Sequence, residues 1–218
     1  MKRPKDDLTD ELSLELLPPE PSKGDKTRLR IVEAAIRNYA TIGYDKTTPQ
    51  KIADTAKLSR PLIIHYFKDA DGIFALALRY IRLRFQRMAI QSIRLDDTPS
   101  EQLESYVRST FAWARAYPDH ARIWLYFYYA AALDEKLKAL NTEMAEMGRL
   151  RIAAILDAGT KLKLWRFKNA GETAKLIQVI ITGTLVVTGT ETLPFAETRL
   201  EENTVKLILS LPDVARRA

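Results

Sequence analysis

The stretch from Thr47 to Phe67 leaves this chain few choices. Thr48 is a good N-cap, and Pro49 follows at the first helical position, where a missing N–H costs nothing. Ile52, Ala53 and Ala56 then share one face of a short helix. Lys57 and Leu58 make a tight turn, with Leu58 as the apolar plug. Ser59 offers a second N-cap, although proline disfavours the α conformation in the residue before it, so with Pro61 in place Arg60 stands as a second candidate cap. In the helix that follows, Ile63 and Phe67 are four apart and return to the same core. Arg60, Pro61, Leu62, Ile64, His65, Tyr66 and Lys68 are left for the outer face and the helix ends. The spacing predicts a helix-turn-helix, whose short second helix has its N-terminal end free to enter a major groove.

The flanking residues extend the pattern. Ile31 and Ala34-Ala35 on a preceding helix, Gly43-Tyr44, Thr47-Thr48, Ile52-Ala53, Ala56, Ser59 and His65-Tyr66-Phe67 together resemble the DNA-binding region of TetR-type bacterial regulators, from Arg28 to Ala75. The resemblance implies an all-α homodimer. A three-helix head would bind a double-stranded, near-palindromic DNA operator, and a helical bundle would enclose a small-molecule effector. The chain departs from the family pattern at Lys57 and Pro61, where glycine is frequent, at Ile64, where tyrosine is, and at Ala70, where lysine is. Positions 64 and 70 usually touch phosphate, which here shifts that work to Tyr66 and Lys68. Ile63 to Phe67 with Gly72-Ile73 also looks similar to the choline-responsive members.

Residue chemistry assigns roles within the motif. Thr48 and the first-turn amides of its helix suit a phosphate oxygen, with Thr47 assisting. Lys51 and Lys68 are point charges for the backbone, and Tyr66 offers a hydroxyl; such contacts position a protein without reading sequence. Arg60 can fork to guanine O6/N7 and Gln50 can pair with adenine N6/N7, while Leu62 and Ile64 suit thymine methyls. Ser59, Pro61 and His65 complete the candidate DNA-binding set. Plainer readings stand beside these: Arg60 as a solvated charge, His65 as a surface histidine, and Tyr66 as a seal between the head and the fourth helix.

Charge agrees with an anionic partner, since 34 Lys and Arg against 28 Asp and Glu give a net +6. Of the 218 residues, 46% are hydrophobic and 28% charged. That is the profile of a soluble globular chain with ample core material. There is no cysteine and only His65 and His120. This argues against a disulfide framework and a metal centre. No glycine-rich phosphate loop, nucleophile motif or carboxylate pair at helical metal spacing appears, so neither an enzyme nor a cofactor is expected. No N-terminal run has a signal peptide's apolar core. The apolar stretch near Leu176 to Val187 reads as too short and too polar to span a bilayer. A cytoplasmic protein with no membrane partner is the expectation.

Residues 1–24, crowded with proline and charges of both signs, read as a disordered arm. Residues 25–70 read as the DNA-binding head, with a first helix over Asp25–Ile42 ended by Gly43 as a left-handed C′ residue. Residues 71–218 read as the ligand-binding and dimerisation domain. Asp69 can cap a long helix over Ala70–Ile93, whose arginines (Arg79, Arg82, Arg84, Arg87) read mostly as a solvated face. Further helices follow: from Thr98 or Ser100 to Tyr117; from an Asp119 cap to Leu133; over Asp134–Lys163; over Gly171–Thr190; and over Glu197–Leu211, after Leu193-Pro194-Phe195. The expectation is about nine helices and no strand.

Two features of the larger domain carry functional weight. Phe85, Tyr106, Phe111, Trp113, Trp124, Phe127, Tyr128 and Met147 are either plain core or the lining of an effector cavity; an aromatic cage would suit a cation, and a lipophilic ligand fits as well. The helix over Gly171–Thr190 is apolar on more than one face, so part of it needs a second copy as cover. Leu176, Ile177, Ile180, Gly183, Thr184, Val187 and, on the last helix, Leu207 are the candidate dimer interface. A ligand-responsive repressor, a non-specific DNA-compacting protein and an enzyme on a helical bundle are the three readings, the first favoured.

Overall fold

The structure is a computed structural model that describes residues 22–67, 70–94, 96–166, 169–190 and 199–214. All the regular structure among them is helical: α1 (Lys23–Ile42), α2 (Pro49–Ala56), α3 (Arg60–Tyr66), α4 (Ala70–Gln91), α5 (Pro99–Ala116), α6 (Pro118–Leu133), α7 (Glu135–Lys161), α8 (Ala170–Thr190) and α9 (Arg199–Val214). Residues 1–21 of the expected arm, Lys68, Asp69, the Leu193-Pro194-Phe195 connector and Glu197 lie outside the described residues, while residues 22–24 cap and begin α1. The chain forms two compact units that divide between Ile81 and Arg82, inside α4 rather than before it. The first turns of α4 belong to the head because Phe74 sits edge-on to Tyr39 at 5.4 Å and to Tyr44 at 4.8 Å, and the Tyr80 hydroxyl donates to Glu33 at 3.3 Å.

In the head, Ile31, Ala34, Ala35, Ile52, Ala53, Ile63, Ile73 and Ala77 are buried, the apolar faces read from the sequence. Helix α1 starts two residues earlier than expected. Ser22 and Asp25 form a reciprocal capping box, which holds the Asp25 carboxyl below its usual range. The box satisfies amides that would otherwise be orphaned. Gly43 has φ 84° and ψ 162°: a positive φ as expected, but extended in ψ. Essentially only glycine enters that region. The left-handed residue is Lys57, at φ 53° and ψ 48°, where its amide closes α2 onto Ala53 and Asp54.

In the body, α7 packs along α6, α8 and α5, and α9 lies against α5 and α8. Thr98 rather than Ser100 caps α5, through a reciprocal box with Glu101. Pro118 does not only end α5; it is the first residue of α6, and Asp119 stands in the first turn rather than at the cap. Arg108 holds Glu104 and Glu202, and Arg115 holds Glu201, so α9 is lashed to α5 by two arginines. After α7 the chain folds back and lays Trp165 over Gly159, where even a Cβ would meet the ring, and the indole donates to the Leu156 carbonyl at 2.7 Å.

Candidate DNA-binding face and body cavity

Helix α2 is closed at its start by Thr48, whose hydroxyl accepts from the Lys51 amide at 3.3 Å. Thr47 is buried, and its hydroxyl donates to the Gly43 carbonyl at 2.8 Å. It locks the turn before α2, which corrects its reading as an accessory phosphate contact. Lys51 Nζ donates to the Lys46 carbonyl at 2.9 Å, and Gln50 Nε2 to Asp54 Oδ1 at 2.7 Å, so both long side chains lie along the protein surface. Arg30 on α1 reaches the Ala56 carbonyl at 2.8 Å and anchors the C-terminal end of α2. Nothing in the sequence pattern signals this contact across 26 positions.

Ser59 is the N-cap of α3, which settles the two candidates, but its side chain makes no capping bond. The reason is local. Pro61 at the second position has no N–H to offer. The Leu62 amide is already taken by the Ser59 carbonyl at 3.1 Å. Ile63 alone on α3 is buried. Arg60, Pro61, Ile64 and His65 are exposed; Leu62 and Tyr66 are half-buried. The Tyr66 hydroxyl lies 3.3 Å from where a Cβ on Gly24 would stand, so the ring packs α3 against the start of α1. His65 stands edge-on to it at 5.4 Å. Within the head, one exposed row of Arg60, Ile64 and His65 is therefore presented on a helix held from behind by Ile63 and Tyr66.

The body contains a cavity of about 90 Å³. Six of the eight expected side chains line it: Phe85, Tyr106, Trp113, Trp124, Tyr128 and Met147. Phe111 and Phe127 do not; at 1% and 0% exposure they fill the core, a correction to the sequence reading. Arg82 and Arg151, unread as site residues, also line it. A periodic signal existed, since Arg82 precedes Phe85 by three and Arg151 follows Met147 by four, and such pairs share a helix face. Burial pushes the Tyr106 phenol up, so it keeps its proton at neutral pH. A second cavity of about 410 Å³ shares Trp113, Trp124 and Leu185 with the first.

Arg84 is the buried exception among the α4 arginines, which read mostly as a solvated face. It is 5% exposed, donates from Nη2 to the Tyr117 hydroxyl at 2.6 Å, and lies 4.8 Å over that ring. His120 stacks on Tyr117 at 5.1 Å. Burial first, and the Arg84 charge second, push its imidazole down to about 4.

Along α8, Leu176, Val179, Val186 and Val187 are exposed, as is Gly183, and so is Leu207 on α9. Ile180 is half-buried. Ile177 and Thr184 point inward, Thr184 to share a hydrogen bond with Thr204 at 3.2 Å, which removes them from the expected interface. Over its 21 residues α8 is long and apolar enough to cross a membrane by length and composition alone, a test that the core helix of a soluble protein also passes.

Residues 31–77 match the family model described as bacterial regulatory proteins, tetR family. The HTH-type transcriptional regulator BetI of Stenotrophomonas maltophilia is 32% identical over 56% of this chain and 63% of its own length. BetI of Rhizobium meliloti is 27% identical over 52% of this chain and 56% of its own. The chain thus matches less than two thirds of each of these relatives. Among solved structures, a TetR transcription regulator from Haloarcula marismortui superposes with TM-score 0.76 at 19% identity, over 87% of this chain and 98% of its own. A transcriptional regulator from Saccharomonospora viridis, solved in complex with choline, does so with TM-score 0.73 at 22% identity, over 84% and 95%.

Proposed function

We propose that this chain, whose residues 31–77 match the tetR family model, is a TetR-type DNA-binding transcriptional repressor that a small molecule releases from a near-palindromic operator. The observation that carries this reading is the α3 surface: Arg60, Ile64 and His65 exposed in one row, with Thr48 capping the helix before it. Thr48 and the α2 amides hold a phosphate, while Arg60 reads a base pair. A homodimer brings two such helices about 34–36 Å apart, one turn of DNA.

The exposed apolar side chains of α8, with Leu207 of α9, support dimerisation through these helices. A second copy would cover what one chain leaves wet. The body cavity is the effector site. Helix α4 belongs to both units, so a ligand that prefers one arrangement of its body half would alter the head. By linkage, operator and ligand would then weaken each other, typically about 5–150-fold. The test is binding to one selected operator and to random DNA at stated salt, beside sedimentation of the free protein. A specific site preferred about 10³-fold or more, bound by a dimer, supports the reading. Equal affinity for both DNAs would make it a non-specific architectural protein.

A further inference from the structure

The body cavity is walled by rings, and its charges are of one sign. Arg82 and Arg151 line it, while no described aspartate or glutamate does. Among the described residues, neither guanidinium is paired with a carboxylate, and Arg82 Nε is buried without an acceptor. Glu146, beside the cavity-lining Ala145 and Met147, is held by Arg149. Arg149 also donates to Gln178 Oε1 at 3.3 Å, and Gln178 Nε2 donates to the Ala145 carbonyl at 3.1 Å, so that amide is a fixed wall. Trp113 is 3% exposed, and its Nε1–H finds no acceptor among the described residues. Tyr106, kept protonated by burial, adds a hydroxyl to the lining.

This lining therefore holds cations and an orphaned donor with no anion to answer them. Arg82 and Arg151 are half-buried, so water answers part of their charge, but the Arg82 Nε and Trp113 Nε1 donors are buried with no acceptor among the described residues, which is costly to leave as it is. A carboxylate supplies what is missing, because its two oxygens accept a guanidinium fork. A quaternary ammonium would gain the faces of the rings but would enter as a further positive charge beside two arginines. The remaining wall includes Phe85, Trp124 and Tyr128. It offers little to a hydrated inorganic anion and much to a ring or an alkyl chain. The cavity is about 90 Å³. That is room for roughly six to nine water-sized groups, the scale of a small aromatic or short-chain acid.

We infer that this cavity takes a small organic monocarboxylate, with its carboxylate on Arg82 and Arg151 and its apolar end against the rings. The inference rests on the reading of the cavity as the effector site, and it sets this chain apart from a choline binder.

The test uses the full chain without DNA, by calorimetry and by tryptophan fluorescence, with benzoate, phenylacetate and hexanoate as probes. Benzamide, choline and inorganic phosphate are the neutral, cationic and purely anionic comparisons. At least one acid should bind saturably, with all three comparisons at least about tenfold weaker. Arg82→Gln and Arg151→Gln should each weaken the acid about tenfold or more while leaving the affinity for benzamide unchanged, a split that loss of folding would not produce. Tighter binding of choline than of every acid, phosphate as good as benzoate, or unchanged acid affinity in both variants would overturn the inference. Operator affinity is measured separately. Acid binding that leaves operator affinity unchanged upholds the carboxylate site and sinks the ligand-released repressor. Operator binding with no acid bound at millimolar concentration sinks the carboxylate site alone.

Discussion

Arg60 of the head and Arg84 of the body are placed oppositely. On the head, Arg60 stands in solvent at the start of α3, on a helix anchored by the single buried residue Ile63. In the body, Arg84 is 5% exposed under an aromatic lid, and Arg82 has a buried Nε among rings. A solvated cation costs little until a polyanion arrives, and it releases counterions when one does. A buried cation costs much at all times and must be compensated by a partner or a use. The difference teaches where mutation should be felt: outward arginines govern binding and leave folding alone, whereas inward ones govern stability or ligand choice.

The strongest break of that contrast would come from Arg84. Arg84→Ala removes a buried side chain and strands the Tyr117 hydroxyl. Urea unfolding should show a loss of about 3–4 kcal/mol. A loss within the range of surface substitutions would mean that its burial is idle. Acid should sharpen the same point through His120. Its imidazole is held neutral in the folded body, down to about 4, whereas the unfolded chain takes up a proton near the ordinary value of 6.5. Stability is thus fully present above about pH 6.5 and falls as pH drops towards about 4, by at most about 3 kcal/mol for this group. His120→Gln should flatten that slope between about pH 7 and about pH 4.5 in otherwise identical unfolding curves.

The head is expected to answer in the opposite sense. Arg60→Ala should cost about 1–3 kcal/mol at one operator position and relax specificity there. Its unfolding curve should stay within about 0.5 kcal/mol of the parent, as for other solvent-exposed substitutions. If binding survives intact, Arg60 is a plain surface charge. The smallest effect is at Lys57, whose backbone is left-handed. That conformation strains a residue with a Cβ, so Lys57→Gly should raise head stability by up to about 1 kcal/mol, provided the extra chain entropy of glycine does not offset it. Thermal melting of the two proteins side by side decides the sign.

Local rules made much of the head legible from the residues themselves. Thr48-Pro49 announces a helix start wherever it occurs, and the Ile52, Ala53, Ala56 and Ile63 positions can meet only if two short helices turn back on each other. Gly43 had to have a positive φ or the chain could not leave α1 as it does, although its extended ψ was not readable. At Ser59 the cap was ambiguous because two local preferences conflict there, and the backbone resolved it by using a carbonyl in place of the side chain. These are interactions over three or four residues, and the sequence alone contains both partners and their spacing.

Tertiary packing decided the rest. Thr47 and Arg84 look like surface residues by type, yet one closes a turn and the other packs on the face of Tyr117, because burial depends on what the fold brings against them. Phe111 and Phe127 could not be told from Trp113 and Trp124 by composition or period; only the packing of the body's helices determines which rings fill space and which border a void. The sign of the cavity followed the same logic. The aromatic run of α6 was visible and suggested a cage for a cation, but α4 and α7 bring Arg82 and Arg151 to the same lining. Whether a ring-lined site favours a cation or an anion depends on the charges that other helices deliver to it. That electrostatic fact belongs to no single stretch of sequence.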